Sequence, residues 1–232
     1  MRTFQLAIKR IFDIFMSVIA LIVLFPIMLI AAIGIKISSK GPVFYKATRM
    51  GKDMKPFNVY KFRTMHVNAD QAGSITATND SRIFTFGKLL RRLKIDELPQ
   101  LINIIQGTMS IIGPRPESVD IVEKFYNEEQ KRTLNMLPGL ASPGSVFNYT
   151  HSEKYLGEQD AEKDYVEKLM PIKLAMDLFY IDHFSVAYDI KLIFRTVTVI
   201  LCQLFGKTEF KYPKEHQFVN QYITQEEERI NK

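Results

Sequence analysis

Between Asp13 and Lys36 the chain runs through IFMSVIALIVLFPIMLIAAIGI without a single charge. A helix needs about 20 apolar residues to cross the hydrocarbon core of a bilayer, so this stretch is long enough to be a membrane segment. It is too long for the apolar part of a signal peptide, no small-residue cleavage site follows, and a basic stretch bounds it directly, so it is expected to stay in the mature protein. Pro26 sits near its middle, where a missing N–H and a ring clash kink a helix or break it in two. Arg2, Lys9 and Arg10 precede the segment, and Lys36, Lys40, Lys46, Arg49, Lys52 and Lys55 follow it. Lys and Arg favour the cytoplasmic side, so both flanks pull the same way. A segment that enters, bends at Pro26 and returns satisfies both flanks. A spanning helix oriented by the longer downstream basic run satisfies only one, and the residues alone leave both topologies open.

The remainder of a 232-residue chain with 47% hydrophobic content is enough for one substantial core. A formal charge of +6 suits an anionic partner: a phospholipid surface, a nucleotide or a nucleic acid. The lone Cys202 excludes an intrachain disulfide and reads as a buried small hydrophobe. His66, His151, His183 and His216 are scattered without metal-ligand spacing, so any metal would be a hard, oxygen-liganded one. Near the C-terminus, Ile190 to Phe205 is strongly apolar but carries Lys191 and Arg195. It suits a membrane interface or packing beneath the domain, and is too short and charged to span.

VFYKATR (Val43 to Arg49) and FNVYKFR (Phe57 to Arg63) flank a turn-like MGKDMKP and read as a β-hairpin. Asn68 to Arg82 is polar and reads as a loop, either an ordinary surface loop or one bordering a site. Ile83 to Leu93 has the pattern of a basic amphipathic helix. A further helix is expected to start at Asp96 as N-cap, tolerate Pro99 in its first turn and stop at Gly107. Ser118 to Met136 and Gln159 to Phe179 read as helical around a Pro/Gly-rich connection, LPGLASPGS. The expected class is α+β, mainly helical, with an anchor over 1–40, a domain over 41–211 and a polar tail over 212–232.

Three clusters are able to do chemistry. Asp96-Glu97 follows Arg91, Arg92 and Lys94; a carboxylate there can act as a nucleophile on phosphorus or, beside a second one, hold Mg²⁺. Adjacent acids also simply favour a helix start. In KFRTM, strand alternation puts Lys61 and Arg63 on one face, two cations suited to clamping a diphosphate or to standing solvated at a strand edge. Gly113-Pro114-Arg115-Pro116-Glu117 is a rigid turn that holds one guanidinium at a fixed angle, either for phosphate recognition or for a structural ion pair.

Together these blocks resemble the bacterial sugar transferase family, the monotopic phosphoglycosyl transferases. The resemblance is carried by KRIFD at Lys9 to Asp13, the proline-interrupted apolar segment, GPVFYKATRMGKDMKPFNVYKFRTM, LLRRLKIDELPQLINIIQGTMSIIGPRPE, LPG at Leu137 to Gly139 and YDIKLIFRTV. It covers about Lys9 to Ile200, in ungapped blocks that keep their order. The resemblance implies that Asp96 attacks the β-phosphate of a UDP-sugar, releases UMP and holds the phosphosugar covalently before undecaprenyl (polyprenyl) phosphate takes it. It further implies that Glu97 helps bind Mg²⁺, that Lys61 and Arg91 contact phosphate, and that Arg115, between Pro114 and Pro116, contacts the nucleotide. Pro26 corresponds to the residue that bends a re-entrant helix, which places the catalytic domain on the cytoplasmic face of the bacterial inner membrane, among its lipids.

Two departures stand out. Phe25 replaces the serine that often precedes that proline, removing a hydroxyl that would help satisfy the freed backbone. Leu140-Ala141-Ser142-Pro143-Gly144 replaces a common Ile-Thr-Gly after LPG, so donor specificity does not transfer. The rival readings are a non-catalytic basic adaptor on the membrane and a glycosyltransferase that releases UDP. Nucleic-acid binding lacks any motif. The sugar, the glycan pathway and whether the chain works as a homodimer stay open.

Overall fold

An apolar helix, α1 (Arg2–Ser38), opens the computed structural model, which describes residues 2–67, 69, 80–157 and 160–223. Among the described residues it is the one helix long and apolar enough to cross a membrane. At 1.5 Å per residue it measures about 55 Å, well beyond the roughly 30 Å of a hydrocarbon core. The backbone stays helical through Pro26 and does not divide there into two helices. Proline costs one intrahelical hydrogen bond, a local loss that uninterrupted turns on both sides can carry.

Most of α1 faces outward with large apolar side chains, Ile22, Phe25 and Ile30 among them. Its inner stripe is fastened to one body along most of its length. Near the start, Lys9 donates to Asp189 at 2.6 Å, Ser110 Oγ donates to Asp13 at 2.6 Å, and Arg10 donates to the carbonyls of Ile104 (2.6 Å) and Ile105 (3.1 Å). Ala20 and Leu21 pack against Val59, Leu101, Ile104 and Met109. Near the end, Ala31 and Ile35 are buried with Phe62, Phe84 and Leu90.

The expected hairpin forms from β1 (Phe44–Met50) and β2 (Pro56–Phe62), with Tyr45 opposite Lys61 and Ala47 opposite Val59. The basic helix α2 (Thr85–Arg92) leads into a 3-10 turn, Ile95–Glu97, and then α3 (Gln100–Gln106), which ends as expected at Gly107 with φ of 88°. A short strand, β3 (Ser110–Ile112), pairs in parallel with β4 (Gly139–Ala141). Between them come α4 (Val119–Phe125) and α5 (Glu128–Lys131). After them come α6 (Pro143–His151), α7 (Ala161–Asp164), a π-helical turn leading into α8 (Met170–Asp182), and α9 (Val186–Leu204). The molecule is thus mostly helical with a short antiparallel strand pair and a long apolar N-terminal helix.

The main core gathers Ile121, Val122, Phe147, Leu169, Met176 and Tyr180 around α8. Residues 212–223, expected as a polar tail, contribute to it: Val219 and Tyr222 are buried there, and Glu215 pairs with Arg195 at 2.8 Å. Polar composition hid two apolar side chains on one turn. Most of the expected loop from Asn68 to Arg82 lies outside the described residues, as do Gln159 and 224–232. Cys202 is half-buried on α9.

Candidate active site

The site forms where three chain crossings are held by specific contacts. Asn103 on α3 takes the place of a neighbouring strand: its side-chain oxygen accepts from Tyr60 N at 2.9 Å and its amide donates to Asn58 O at 2.7 Å. That pins α3 against β2 and brings Lys61 to face the turn carrying Asp96 and Glu97. The two glycine-proline motifs meet directly, since Gly139 N donates to Pro114 O at 2.9 Å and Gly113 N to Ala141 O at 3.0 Å. A Cβ on Gly139 would lie 2.1 Å from Gly113 N, so the contact requires glycine. Asp177 on α8 closes the third crossing, accepting from Gly144 N (2.9 Å), Ser142 Oγ (3.2 Å) and Arg115 N (3.4 Å). Burial raises its carboxyl to about 6.

Asp96 is not the helix cap expected of it. It sits in the 3-10 turn before α3, Pro99 occupies the N-cap, and no side chain caps that helix. The carboxylate is therefore available: it is 7% exposed and its Oδ1 is buried without a hydrogen-bond partner. Leaving a buried carboxylate oxygen unpaired costs several kcal/mol, of order 1–3 or more, so the position is one where function opposes stability. Burial, reinforced by Glu97, raises the Asp96 carboxyl above its ordinary value, while Lys61, Lys94 and Arg91 oppose the rise. A cavity of about 510 Å³ opens onto it, bounded by β1, β2, Arg91 and Lys94.

Glu97 is held quite differently. Arg115 grips it through two hydrogen bonds, to Oε1 at 2.5 Å and Oε2 at 3.1 Å, and Lys94 stands 3.6 Å from Oε1. Burial alone would raise its carboxyl; Arg115, Lys94 and Lys61 outweigh that and hold it well below the usual range. The guanidinium of Arg115 also reaches Leu140 O at 3.1 Å, so the GPRP turn aims it at Glu97. Pro114 is buried at the β3–β4 junction, while Pro116 borders a second cavity of about 310 Å³ beside Lys61, Arg91 and Gln100.

Lys61 lies in the same electrostatic field as Asp96 and Glu97; burial lowers it to about 8 in spite of their attraction. Arg91 is anchored by Thr64 Oγ1 at 2.8 Å. Arg63 lines the same cavity as Lys61, but its guanidinium is also engaged by backbone. It donates to Pro42 O (2.6 Å), Ser39 Oγ (2.9 Å), Ser39 O (2.9 Å) and Met65 O (3.2 Å), tying the end of α1 to the strand. Strand alternation fixes the side from which a side chain leaves; nearby carbonyls decide where a long one ends.

Lys94, in the sequence only one of three cations before Asp96, lies 3.6 Å from Glu97 and 4.4 Å from the ring centre of Tyr149. Its φ of 57° is a left-handed value uncommon for lysine, and it makes the sharp turn from α2 to Asp96. Gln100, 1% exposed, was missed; its Nε2 has no partner and it borders the second cavity. Glu117 accepts from Tyr165, with Lys173 at 3.5 Å and Arg49 at 3.6 Å. Among the described residues no group of three or more His, Cys, Asp or Glu gathers as a metal cage.

The sequence profile of the family described as "Bacterial sugar transferase" matches residues 4–203. A UDP-N-acetylgalactosamine-undecaprenyl-phosphate N-acetylgalactosaminephosphotransferase of Aeromonas hydrophila is 37% identical over 84% of this chain and 44% of its own length. The exopolysaccharide production protein PSS of Rhizobium leguminosarum bv. phaseoli is 36% identical over 83% of this chain and 94% of its own. A UDP-glucose:undecaprenyl-phosphate glucose-1-phosphate transferase of Escherichia coli (strain K12) is 38% identical, over 82% and 39%. The chain thus spans less than half the length of two of these relatives and nearly all of the third.

Proposed function

The chain belongs to the bacterial sugar transferase family, and from that premise we propose that it moves a sugar 1-phosphate from a UDP-sugar to undecaprenyl phosphate. The observation that carries this reading is the unpaired Oδ1 of Asp96, buried at a cavity among Lys61, Arg91 and Lys94. Asp96 attacks the phosphorus that bears the sugar; a P–O bond forms as the bond to the bridging oxygen breaks, and UMP departs with the electron pair. An oxygen of the lipid phosphate then attacks the same phosphorus and the Asp96 carboxylate leaves. One phosphoanhydride replaces another, so the protein chiefly supplies position and charge. Lys61 and Arg91 steady the diphosphate, and Arg115 keeps Glu97 ionised and oriented.

Two adjacent acids without a cage fit a hard cation that takes most of its oxygens from phosphate and water, as Mg²⁺ does. Glu97 would hold it, since carboxylate oxygens bonded to Arg115 retain further lone pairs. Bound Mg²⁺ supplies neutralisation of diphosphate charge. Glu97→Gln is accordingly expected to shift the Mg²⁺ titration of activity, and an unchanged titration removes Glu97 from that role.

The same reading sets α1 in the inner membrane as a re-entrant helix bent about Pro26, with the catalytic body at the cytoplasmic face. Contacts of Lys9 and Arg10 at one end and of Ile35 at the other with a single body favour it over crossing, because a spanning helix would carry its ends to opposite sides. Incubation with undecaprenyl phosphate, Mg²⁺ and a panel including UDP-glucose and UDP-N-acetylgalactosamine tests the reaction. UMP release supports it; UDP release identifies transfer of the sugar alone and overturns it.

A further inference from the structure

A second wall of the Asp96 site is apolar. A cavity of about 330 Å³, within the range of pockets that hold small ligands (about 300–1,000 Å³), lies between α9 and the β4–α6 region. Ile193, Val197 and Ile200 of α9 line one side and Leu140 and Val146 the other. Its charged lining is Lys94, Glu97 and Arg115, and Lys94 and Glu97 also line the cavity onto which Asp96 opens. The two cavities therefore share a charged partition.

On its outer side the apolar cavity is continuous with exposed apolar surface. Ile190, Phe194, Val197, Leu201 and Phe205 are all exposed and recur at steps of three or four residues, one stripe along α9. Such a stripe is expected to lie in the bilayer interface, as α1 does with its own outward apolar residues. Val197 belongs both to that stripe and to the cavity lining. A lipid chain in the bilayer thus meets an apolar path that ends at a cation beside the reacting carboxylate.

We propose that this cavity seats the first isoprene units of the polyprenyl phosphate acceptor, with Lys94 receiving its phosphate and directing it to Asp96. The assignment rests on the transfer reading above. Chemistry matches at both ends: branched hydrocarbon against Ile, Val and Leu, and a phosphate against the lysine that makes the left-handed turn into Asp96. The cation-lined cavity on the other side of the partition is left to the donor diphosphate, so donor and acceptor approach Asp96 from different sides.

The test uses the full chain in detergent or nanodiscs with a polyprenyl phosphate carrying a diazirine on its first isoprene units. Photolabelling is expected on α9 and on residues 140–149, and to be competed by unlabelled undecaprenyl phosphate. Labelling confined to the β1–β2 wall, residues 42–67, overturns the assignment. In parallel, Val197→Trp is expected to raise the KM for undecaprenyl phosphate at least fivefold while the burst of UMP formed without acceptor keeps its amplitude. An unchanged acceptor KM with efficient transfer overturns the assignment and leaves the transfer reading standing. Absence of any UMP burst from the unaltered enzyme with every donor overturns the transfer reading, and the assignment falls with it.

Discussion

Two clusters that bury acids beside cations are finished in opposite ways. Around Asp13 and Asp189 every charge is answered: Lys9 lies 2.6 Å from Asp189 and 3.8 Å from Asp13, Tyr180 donates to Asp189 at 2.7 Å, and Ser110 donates to Asp13. Around Asp96 the cations are more numerous, Lys61, Lys94 and Arg91, yet one carboxylate oxygen is left over. Burial raises both Asp96 and Asp189, so burial alone does not distinguish a site from a strut. The unanswered oxygen does, together with the larger cavity that Asp96 lines, about 510 Å³ against about 140 Å³ at Asp13.

The largest effect is expected at Asp96, the proposed nucleophile. Asp96→Asn is expected to lower turnover by about 10⁴-fold or more, as loss of a nucleophile does elsewhere, with thermal stability equal or higher because a buried carboxylate with an unpartnered oxygen is gone. Near-normal turnover of this variant removes Asp96 from the chemistry. At the other cluster, Asp189→Asn takes from buried Lys9 its nearer ion partner, leaving Asp13 at 3.8 Å, and is expected to cost up to about 3–5 kcal/mol of stability. Chemical denaturation measures that loss, and UMP formation per folded molecule should stay close to that of the unaltered protein. A stable Asp189→Asn protein with lost chemistry would reverse the two roles.

Smaller effects sharpen the picture inside the site. Arg115→Lys replaces a two-point grip on Glu97 with a point charge, and misplacement of that kind is expected to lower kcat/KM by about 10²-fold. Single-turnover kinetics with Mg²⁺ varied would show it. Lys61 gives the gentlest signal. Its ammonium, lowered to about 8 by burial, is charged below that pH and lost above it, so donor kcat/KM should fall as pH rises through about 8. On the acid side activity should fall as Asp96, raised from its ordinary value, becomes protonated. Lys61→Arg is expected to remove the alkaline fall; a pH profile unchanged by it assigns that limb to another group.

Local pattern carried much of this architecture. The hairpin strands, the amphipathic α2 and the glycine stop of α3 all follow from spacing over a few residues and form as expected, whereas the uncharged segment stays one helix through Pro26. What escaped reading depends on contacts between distant segments. Lys9 and Asp189 are separated by 180 residues, and nothing in either neighbourhood announces the pair. LPG and GPRP were each visible as turns, whereas their mutual hydrogen bonds exist only in three dimensions. Arg63 shares a cavity with Lys61 as strand alternation suggests, but its bonds to the Ser39 and Pro42 carbonyls just after α1 could not be read from the strand.

At Asp96 itself the local rule misled in a useful direction. An aspartate before Pro99 and an apolar run has the signature of a cap, and capping would have used the carboxylate on its own backbone. The left-handed turn at Lys94 and the 3-10 turn after it shift the helix start downstream and spare that carboxylate. The tail shows the converse: a polar composition after Tyr212 concealed Val219 and Tyr222, whose burial could be recognised only with the partner surface of the main core present.

The central claim is that Asp96 carries the phosphosugar. The most direct measurement is intact-protein and peptide mass spectrometry after rapid quenching of the enzyme with a turnover-competent UDP-sugar, Mg²⁺ and no lipid acceptor. A mass increase equal to one phosphosugar on the peptide bearing Asp96, with one UMP released per adduct and loss of the adduct on adding undecaprenyl phosphate, is the expected result. UMP formed only once acceptor is present, with unmodified Asp96 at every quench time, would contradict it.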